Sequence, residues 1–274
     1  MKLVSFSSAD GRIRPGALMD DAVVDLSAAG YADALAVIAA ELSSAPRGPT
    51  LALDEVKLHA PIANPPRIFA IGLNYRDHAA ESKMALPAVP VVFFKLHTSI
   101  IGPGEEIVLP RSSNEPDYEA ELAFVIGKGG YRIPASAWRE HVYGYTIVND
   151  VSARDVQFAT SQWSMAKSFN TFCPMGPAIV TADEIADPHE LSIGLAIDGE
   201  TLQSSNTREL VFGVPALVEY ISSIAPLLPG DVISTGTPGG VGLGRTPKRW
   251  LRPGETVTVT VEGLGALTNP VVAE

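Results

Sequence analysis

Asp117-Tyr118-Glu119-Ala120-Glu121-Leu122-Ala123-Phe124-Val125-Ile126 sets two carboxylates at the mouth of an apolar run that reads as a buried strand. Side chains alternate faces along a strand, so Glu119 and Glu121 point the same way, roughly 7 Å apart along the chain. Like charges so placed repel unless a cation lies between them. Tyr118, Ala120 and Leu122 on the other face are apolar, and so is the continuation to Ile126, which argues for cover on both sides rather than a solvated face. A second apolar run, Tyr143 to Val148, ends in Asn149 and Asp150 and offers a third carboxylate if the two strands are neighbours. Three oxygen donors with no Cys or His among them suit a hard divalent cation, Mg²⁺ or Mn²⁺, better than zinc. A metal-dependent enzyme is the expectation.

Outward from this run the chain is short strands punctuated by Pro and Gly. Before it lie Lys2 to Ser7, Ala22 to Leu26, Arg67 to Gly72, Val91 to Leu96 and Glu106 to Leu109; after it, Val142 to Asn149 and Ala178 to Thr181. Asp198-Gly199 between Leu191 to Ile197 and Glu200 to Gln203 is a strong hairpin signal. A further hairpin joins Thr256 to Glu262 with Ala266 to Val272. Helical patterns are fewer: Tyr31 to Leu42, Tyr75 to Ser82, a short piece near Ala153 to Thr160, and Val214 to Ile224. The expected fold class is a β-rich α+β protein, with Ser43 to Thr50 as a linker between a small N-terminal α+β domain (1–55) and a larger domain (56–274).

Composition narrows the function. The chain has 274 residues, 20 basic against 31 acidic, and a formal charge of −11. Such a surface repels phosphate backbones, so nucleic acid is not expected as a partner. An anionic substrate remains compatible, because a metal and a few lysines reverse the field locally. One cysteine, Cys173, cannot make an internal disulfide, and no run of eighteen apolar residues or basic-then-apolar leader is present; no membrane association and a cytoplasmic protein are the expectation. Cys173 between Phe172 and Pro174 reads as a buried, inert thiol.

The glycine cluster Thr235-Gly236-Thr237-Pro238-Gly239-Gly240-Val241-Gly242 fits neither dinucleotide nor Walker patterns, and reads as a backbone-lined substrate loop or a plain tight turn. No Gly-x-Ser-x-Gly or His-Glu-x-x-His occurs, so serine hydrolase and zinc protease chemistries lose support.

Several segments together resemble the fumarylacetoacetate hydrolase family over about residues 60 to 272. They are Gly72-Leu73-Asn74-Tyr75 with His78 and Glu81, Phe94-Lys95, Asp117 to Leu122, Asn149-Asp150-Val151-Ser152-Ala153-Arg154-Asp155, Lys167-Ser168-Phe169 running into Phe172 to Pro177, and Thr235-Gly236-Thr237-Pro238. The resemblance implies a mixed β-sandwich roll, a homodimer, and Mg²⁺ or Mn²⁺ held by Glu119, Glu121 and Asp150. It is nearest to the single-length members, which include acylpyruvate hydrolases, oxaloacetate decarboxylases and homoprotocatechuate-pathway isomerases, all working on 2-oxo acids.

In that chemistry the metal chelates the carboxylate and 2-oxo group and stabilises an enolate as a bond at C3 breaks. The resemblance assigns His78 and Glu81 to a lid helix that activates water, with Glu81 orienting His78 across one turn. Lys167 stabilises the oxyanion or enolate. Gln157, Thr237 with neighbouring loop amides, Arg154 and Lys95 are candidate substrate contacts; a local Arg154–Asp155 ion pair and a second-layer role for Lys95 are the alternatives. His59, His97, His141 and His189 read as structural. The expected reaction is hydrolysis of the carbon–carbon bond of a 2,4-dioxo acid of acylpyruvate or fumarylpyruvate type, through a metal-stabilised pyruvate enolate. The alternatives are an oxaloacetate-type decarboxylase, a 2-hydroxy-dienoate isomerase, or a non-catalytic metal-binding protein. Ala80 to Pro90 and Arg111 to Glu115 are expected to shape the distal pocket without revealing the substrate tail.

Overall fold

A computed structural model describes residues 1–81 and 85–274. The expected helix end at Ser82 and part of the Ala80 to Pro90 segment lie outside the described residues. The Ala120–Ile126 strand sits deep in a twelve-stranded mixed sheet, with Val142–Asn149 on one side and Val232–Ser234 on the other. The first pairing is antiparallel and sets Glu121 opposite Val148 and Ala120 opposite Asn149. That register is what carries Asp150, the next residue, to the level of Glu119 and Glu121.

The sheet continues through Cys173–Thr181, Lys2–Ser7, Arg14–Leu18, Ala22–Asp25 and Thr50–Ala52 on one side, and through Ile68–Gly72 and Val91–Lys95 on the other. The Val232–Ser234 and Ile68–Gly72 strands run parallel. A five-stranded sheet, ordered Glu200–Asn206, Ser192–Ile197, Thr256–Val261, Gly265–Ala273, Ile107–Leu109, packs against the first. A strand covered on both faces loses the polar alternation, and the burial shows why this one did. Leu122, Phe124 and Ile126 join one core with Ile193, Leu195, Val257 and Val259 of the five-stranded sheet. Ala123 and Val125 join another with Leu3, Val37 and Ile38. Each such aliphatic or aromatic side chain contributes about 1.5–3 kcal/mol on full burial. Both expected hairpins form, and the architecture is the β-rich, mixed-sheet fold expected.

Helices are short. Val214–Ile224 matches its expected span and buries Val214, Leu217, Val218 and Ile221, a stripe at helical spacing. Ala34–Ala39 is the helical part of the Tyr31 to Leu42 pattern, begun by Asp33, whose carboxylate accepts from the Ala36 N–H at 2.8 Å. The Arg14–Leu18 strand was hidden by Pro15 and Gly16, which read as turn residues. In the structure it lies between two strands, and a Cβ at Gly16 would fall 2.4 Å from Val23 Cγ1. The Cys173–Thr181 strand is longer than expected for the same reason, since Pro174, Gly176 and Pro177 lie inside it.

Candidate active site

Glu119, Glu121 and Asp150 are all buried, and each offers one carboxylate oxygen to a group whose members lie within 4.8 Å of one another. Backbone geometry fixes them. The Glu119 N–H donates to Asn149 Oδ1 at 3.0 Å, and the Asp150 N–H to the Glu119 carbonyl at 2.9 Å. Burial first, then the charges of Asp150 and Glu119, push the Glu121 carboxyl well above its ordinary range. Its Oε2 accepts from Ser234 Oγ at 2.5 Å and from the Gly236 N–H at 3.0 Å. A buried all-oxygen donor set with that much mutual repulsion fits a hard divalent cation, so the three residues can hold one.

Three cations flank the triad. Lys167 Nζ donates to Glu119 Oε2 at 2.7 Å and to Asp150 Oδ2 at 2.9 Å. Lys95 Nζ donates to Asp150 Oδ1 at 2.6 Å and also to the Lys167 carbonyl. Arg154 reaches Asp117 Oδ2 through Nε at 2.8 Å, Glu119 Oε1 through Nη2 at 2.6 Å and Gln157 Oε1 through Nη1 at 2.8 Å. Burial opposes ionisation of Glu119, but Lys167 and Arg154 outweigh it and hold the carboxyl down at about 2. Burial likewise opposes charge on Lys167, while Asp150 and Glu119 raise its affinity for the proton above the ordinary lysine range.

Arg154 does not pair with Asp155. Its guanidinium is turned inward by the short pairing of Pro116–Asp117 with Ser152–Ala153, and Asp155 instead accepts from Ser113 Oγ at 2.6 Å and the Asn114 N–H at 2.8 Å. Lys95 bridges Asp150 to the backbone of Lys167 as a buried brace.

The Arg76–Glu81 helix brings His78 to the same cavity. Asp77 ties the helix to the neighbouring hairpin by accepting from Ser205 Oγ at 2.6 Å. Glu81 Oε2 accepts from the Gly240 N–H at 3.0 Å and lies 3.7 Å from His78 Nδ1, a charge contact too long for a hydrogen bond. Burial opposes ionisation of Glu81, but His78, the Gly240 N–H and Arg245 together hold its carboxyl below the ordinary range.

The glycine loop is not an open cradle. Its Gly236, Gly240, Gly242 and Leu243 N–H groups donate to Glu121, Glu81 and, for the last two, Asp117. Two of its glycines are steric necessities: a Cβ at Gly242 would meet the Arg249 carbonyl at 1.9 Å, and one at Gly240, where φ is +103°, the Leu202 carbonyl at 2.3 Å. The Thr237 hydroxyl is engaged too, donating to the Ala120 carbonyl at 3.0 Å and accepting from Gln203 Nε2 at 2.9 Å.

One small cavity, about 40 Å³, gathers His78, Glu119, Glu121, Arg154, Gln157, Lys167 and Thr237 with the apolar Ile71, Leu73, Phe93 and Trp163. Of the candidate site residues, Glu81, Lys95 and Asp150 stand behind this lining, each touching a residue of it or of the glycine loop. Asp117, Gln203 and Asn74 carried no role in the sequence reading. Asp117 joins Arg154 to the glycine loop; Gln203 ties the Ala120 N–H to Thr237 and the Pro238 carbonyl; Asn74 bridges Thr235 and Phe212. Asp117 and Asn74 had a signal, since both stand in segments that carry the resemblance; Gln203 had none. His59, His141 and His189 make structural contacts with Ser7, the Lys128 carbonyl, and Asp187 with the Val214 N–H. Cys173 is buried, and burial pushes its thiol up to about 12.

A mixed two-sheet fold with a buried oxygen-only triad able to hold a cation, beside a histidine on a short helix, has the makings of an enzyme site. Residues 67–272 match the fumarylacetoacetate (FAA) hydrolase C-terminal family, and the chain belongs to it. It is 47% identical over 224 residues to the mitochondrial oxaloacetate tautomerase fahd2 of Xenopus laevis, covering 81% of this chain and 70% of that one. The fumarylacetoacetate hydrolase from psychrophilic Exiguobacterium antarcticum superposes with a TM-score of 0.91 at 37% identity, with 100% of both chains covered. The 5-carboxymethyl-2-hydroxymuconate delta-isomerase from Mycobacterium smegmatis does so at 0.84 and 38%, again over 100% of both chains. No helix among the described residues is long and apolar enough to cross a membrane.

Proposed function

We propose that this chain catalyses enolisation at C3 of a small 2-oxo acid, with keto–enol tautomerisation of an oxaloacetate-type dicarboxylate as the leading reaction. The supporting observation is the charge of the buried cluster. With Glu121 ionised as a metal ligand must be, Asp117, Glu119, Glu121 and Asp150 stand against Lys95, Arg154 and Lys167, four negative groups to three positive. A divalent cation on Glu119, Glu121 and Asp150 turns that balance to one net positive charge and supplies a Lewis acid that polarises the 2-oxo oxygen.

The chain's own residues do the rest. Lys167, at the cavity wall, offsets the charge that develops on the enolate oxygen. His78 takes the proton from C3 of the keto form and delivers it to the enolate oxygen, and the reverse transfer, from enol O–H to C3, regenerates the keto acid. Glu81 holds the Arg76–Glu81 helix to the glycine loop. Gln157 spends its carbonyl on Arg154, which leaves its amide nitrogen to donate to the substrate carboxylate. Arg154 itself is committed to Asp117, Glu119 and Gln157, so it fixes Glu119 and Gln157 rather than reaching for substrate.

Hydrolysis of a 2,4-dioxo acid is the second reading, favoured by the His78–Glu81 contact, which also suits activation of a water. One set of assays separates the two: decay of enol-oxaloacetate absorbance, and pyruvate release from acetylpyruvate, each with Mg²⁺, Mn²⁺ or EDTA. Metal-dependent enol decay without cleavage supports the tautomerase; cleavage of acetylpyruvate at a higher kcat/KM moves the assignment to the hydrolase. Enol decay unaffected by EDTA, with no cleavage, refutes both.

A further inference from the structure

The cavity lining divides by chemistry. A 2-oxo acid presents its carboxylate and carbonyl to the charged groups, so whatever extends beyond C3 must lie against the apolar remainder, Ile71, Leu73, Phe93 and Trp163. Trp163 is the largest of these, and three contacts fix it. Its indole edge lies directly over Gly72: a Cβ there would fall 2.3 Å from Cζ3 and 3.1 Å from Cη2. Its ring meets Phe93 edge-on, with centroids 5.7 Å apart and planes at 72°, a favourable aromatic arrangement. Its carbonyl accepts from the Lys167 N–H at 3.2 Å, so one turn of chain sets both the indole and the site's ammonium. Lys167 Nζ in turn lies 5.4 Å from the centre of the Phe93 ring.

We propose that Trp163, seated in the notch that Gly72 leaves, is the residue that sets substrate length: the indole closes the apolar end of the cavity and admits only a short group beyond C3. This rests on the 2-oxo acid reading. Gly72 is part of the same device, because no other residue leaves room for the indole at this distance. A pocket wall of this kind discriminates about 10- to 200-fold per methylene-sized change.

The test uses two variants with opposite effects. Exchange of the C3 protons with deuterated solvent, followed by proton NMR, reports enolisation for any 2-oxo acid, and a series with tails of increasing length gives the specificity profile. Trp163→Ala should raise the ratio of long-tail to short-tail kcat/KM by tenfold or more, with Trp163→Phe between it and the wild type. Gly72→Ala, whose Cβ drives the indole into the cavity, should lower that ratio and raise KM for the shortest substrate. Mn²⁺ binding by calorimetry confirms that each variant keeps its fold and its carboxylates. An unchanged profile in Trp163→Ala, with wild-type exchange intact, overturns the inference and leaves the enolisation reading standing. Absence of exchange of every 2-oxo acid by the metal-loaded wild type overturns the enolisation reading and the inference with it.

Discussion

Lys167 and Glu119 form the inner contact of the site, Nζ to Oε2 at 2.7 Å, and the same ammonium reaches Asp150 at 2.9 Å. One lysine thus holds two of the three carboxylates that a divalent cation needs. Glu119 Oε1 and Asp150 Oδ1 are occupied by Arg154 and Lys95, so a metal must share or displace these partners. Lys167 is the partner that lines the cavity, and Lys95 is not.

Removing Lys167 should therefore separate metal binding from catalysis. Lys167→Met is expected to bind Mg²⁺ or Mn²⁺ about tenfold more tightly, or ~1.4 kcal/mol, while enolisation falls by two orders of magnitude or more. The metal-free variant should melt at lower temperature, since two buried carboxylates lose a partner, a change that costs roughly 3–5 kcal/mol. Calorimetric titration, the C3 proton-exchange assay and thermal melts with EDTA check the three expectations in turn. Weaker metal binding in the variant would show that Lys167 supports the cation rather than competing with it.

Metal binding should also release protons. Burial, Asp150 and Glu119 raise the Glu121 carboxyl well above its ordinary range, whereas a metal ligand must be ionised. The metal-free site therefore retains a proton to higher pH than a free carboxylate does, and the cation expels it. Apparent affinity should fall as pH is lowered. Titrations in buffers of different ionisation enthalpy should give heats that differ in proportion to the protons released, and Glu121→Gln should abolish the difference.

The triad was legible because a double-sided strand and an x-Glu-x-Glu run leave a visible conflict: charges where the pattern demands burial. The Val214–Ile224 helix and both hairpins were legible for the usual reason that periodicity and turn chemistry agree. The glycine loop stayed open between a substrate loop and a plain tight turn because glycine reports only that space is short or φ is positive, and here the crowding atoms are Arg249 and Leu202 carbonyls. Arg154 was half-read: next to Asp155 in sequence, it pairs with Asp117, thirty-seven residues away. Proximity along the chain says little where a two-residue strand turns a side chain inward.

Asp117 ties that loop to Arg154. Its carboxylate accepts from the Tyr118, Gly242 and Leu243 N–H groups and from Arg154 Nε, all at 2.7–3.0 Å and with Asp117 fully buried. Asp117→Ala strands the Arg154 guanidinium and frees the glycine loop, so it should destabilise the fold by ~3–5 kcal/mol. A urea midpoint lowered by that amount is the expected result. Asp117→Asn keeps the size but gives up the charge and part of the accepting capacity, and should lie between the two.

Glu81 connects the Arg76–Glu81 helix to that loop, and its charge makes the connection depend on pH. Its carboxyl is held below the ordinary range, so the native state favours the ionised form. The sign follows from linkage: the contact is complete above the ordinary carboxylate pKa and is lost as pH falls through the lowered folded value. Acidification should thus loosen the Arg76–Glu81 helix before the sheets unfold, read as faster amide exchange over residues 76–81. Glu81→Gln should remove that acid-dependent step. Gly244→Ala offers a second approach without altering any charge, because its Cβ would lie 2.5 Å from Glu81 Cδ and drive the carboxylate off the Gly240 N–H. His78 then loses its fixed position over the cavity, and kcat should fall by about 10²-fold, the scale on which a misplaced catalytic group acts. Wild-type kcat in Gly244→Ala would mean that the helix reaches its working position without Glu81.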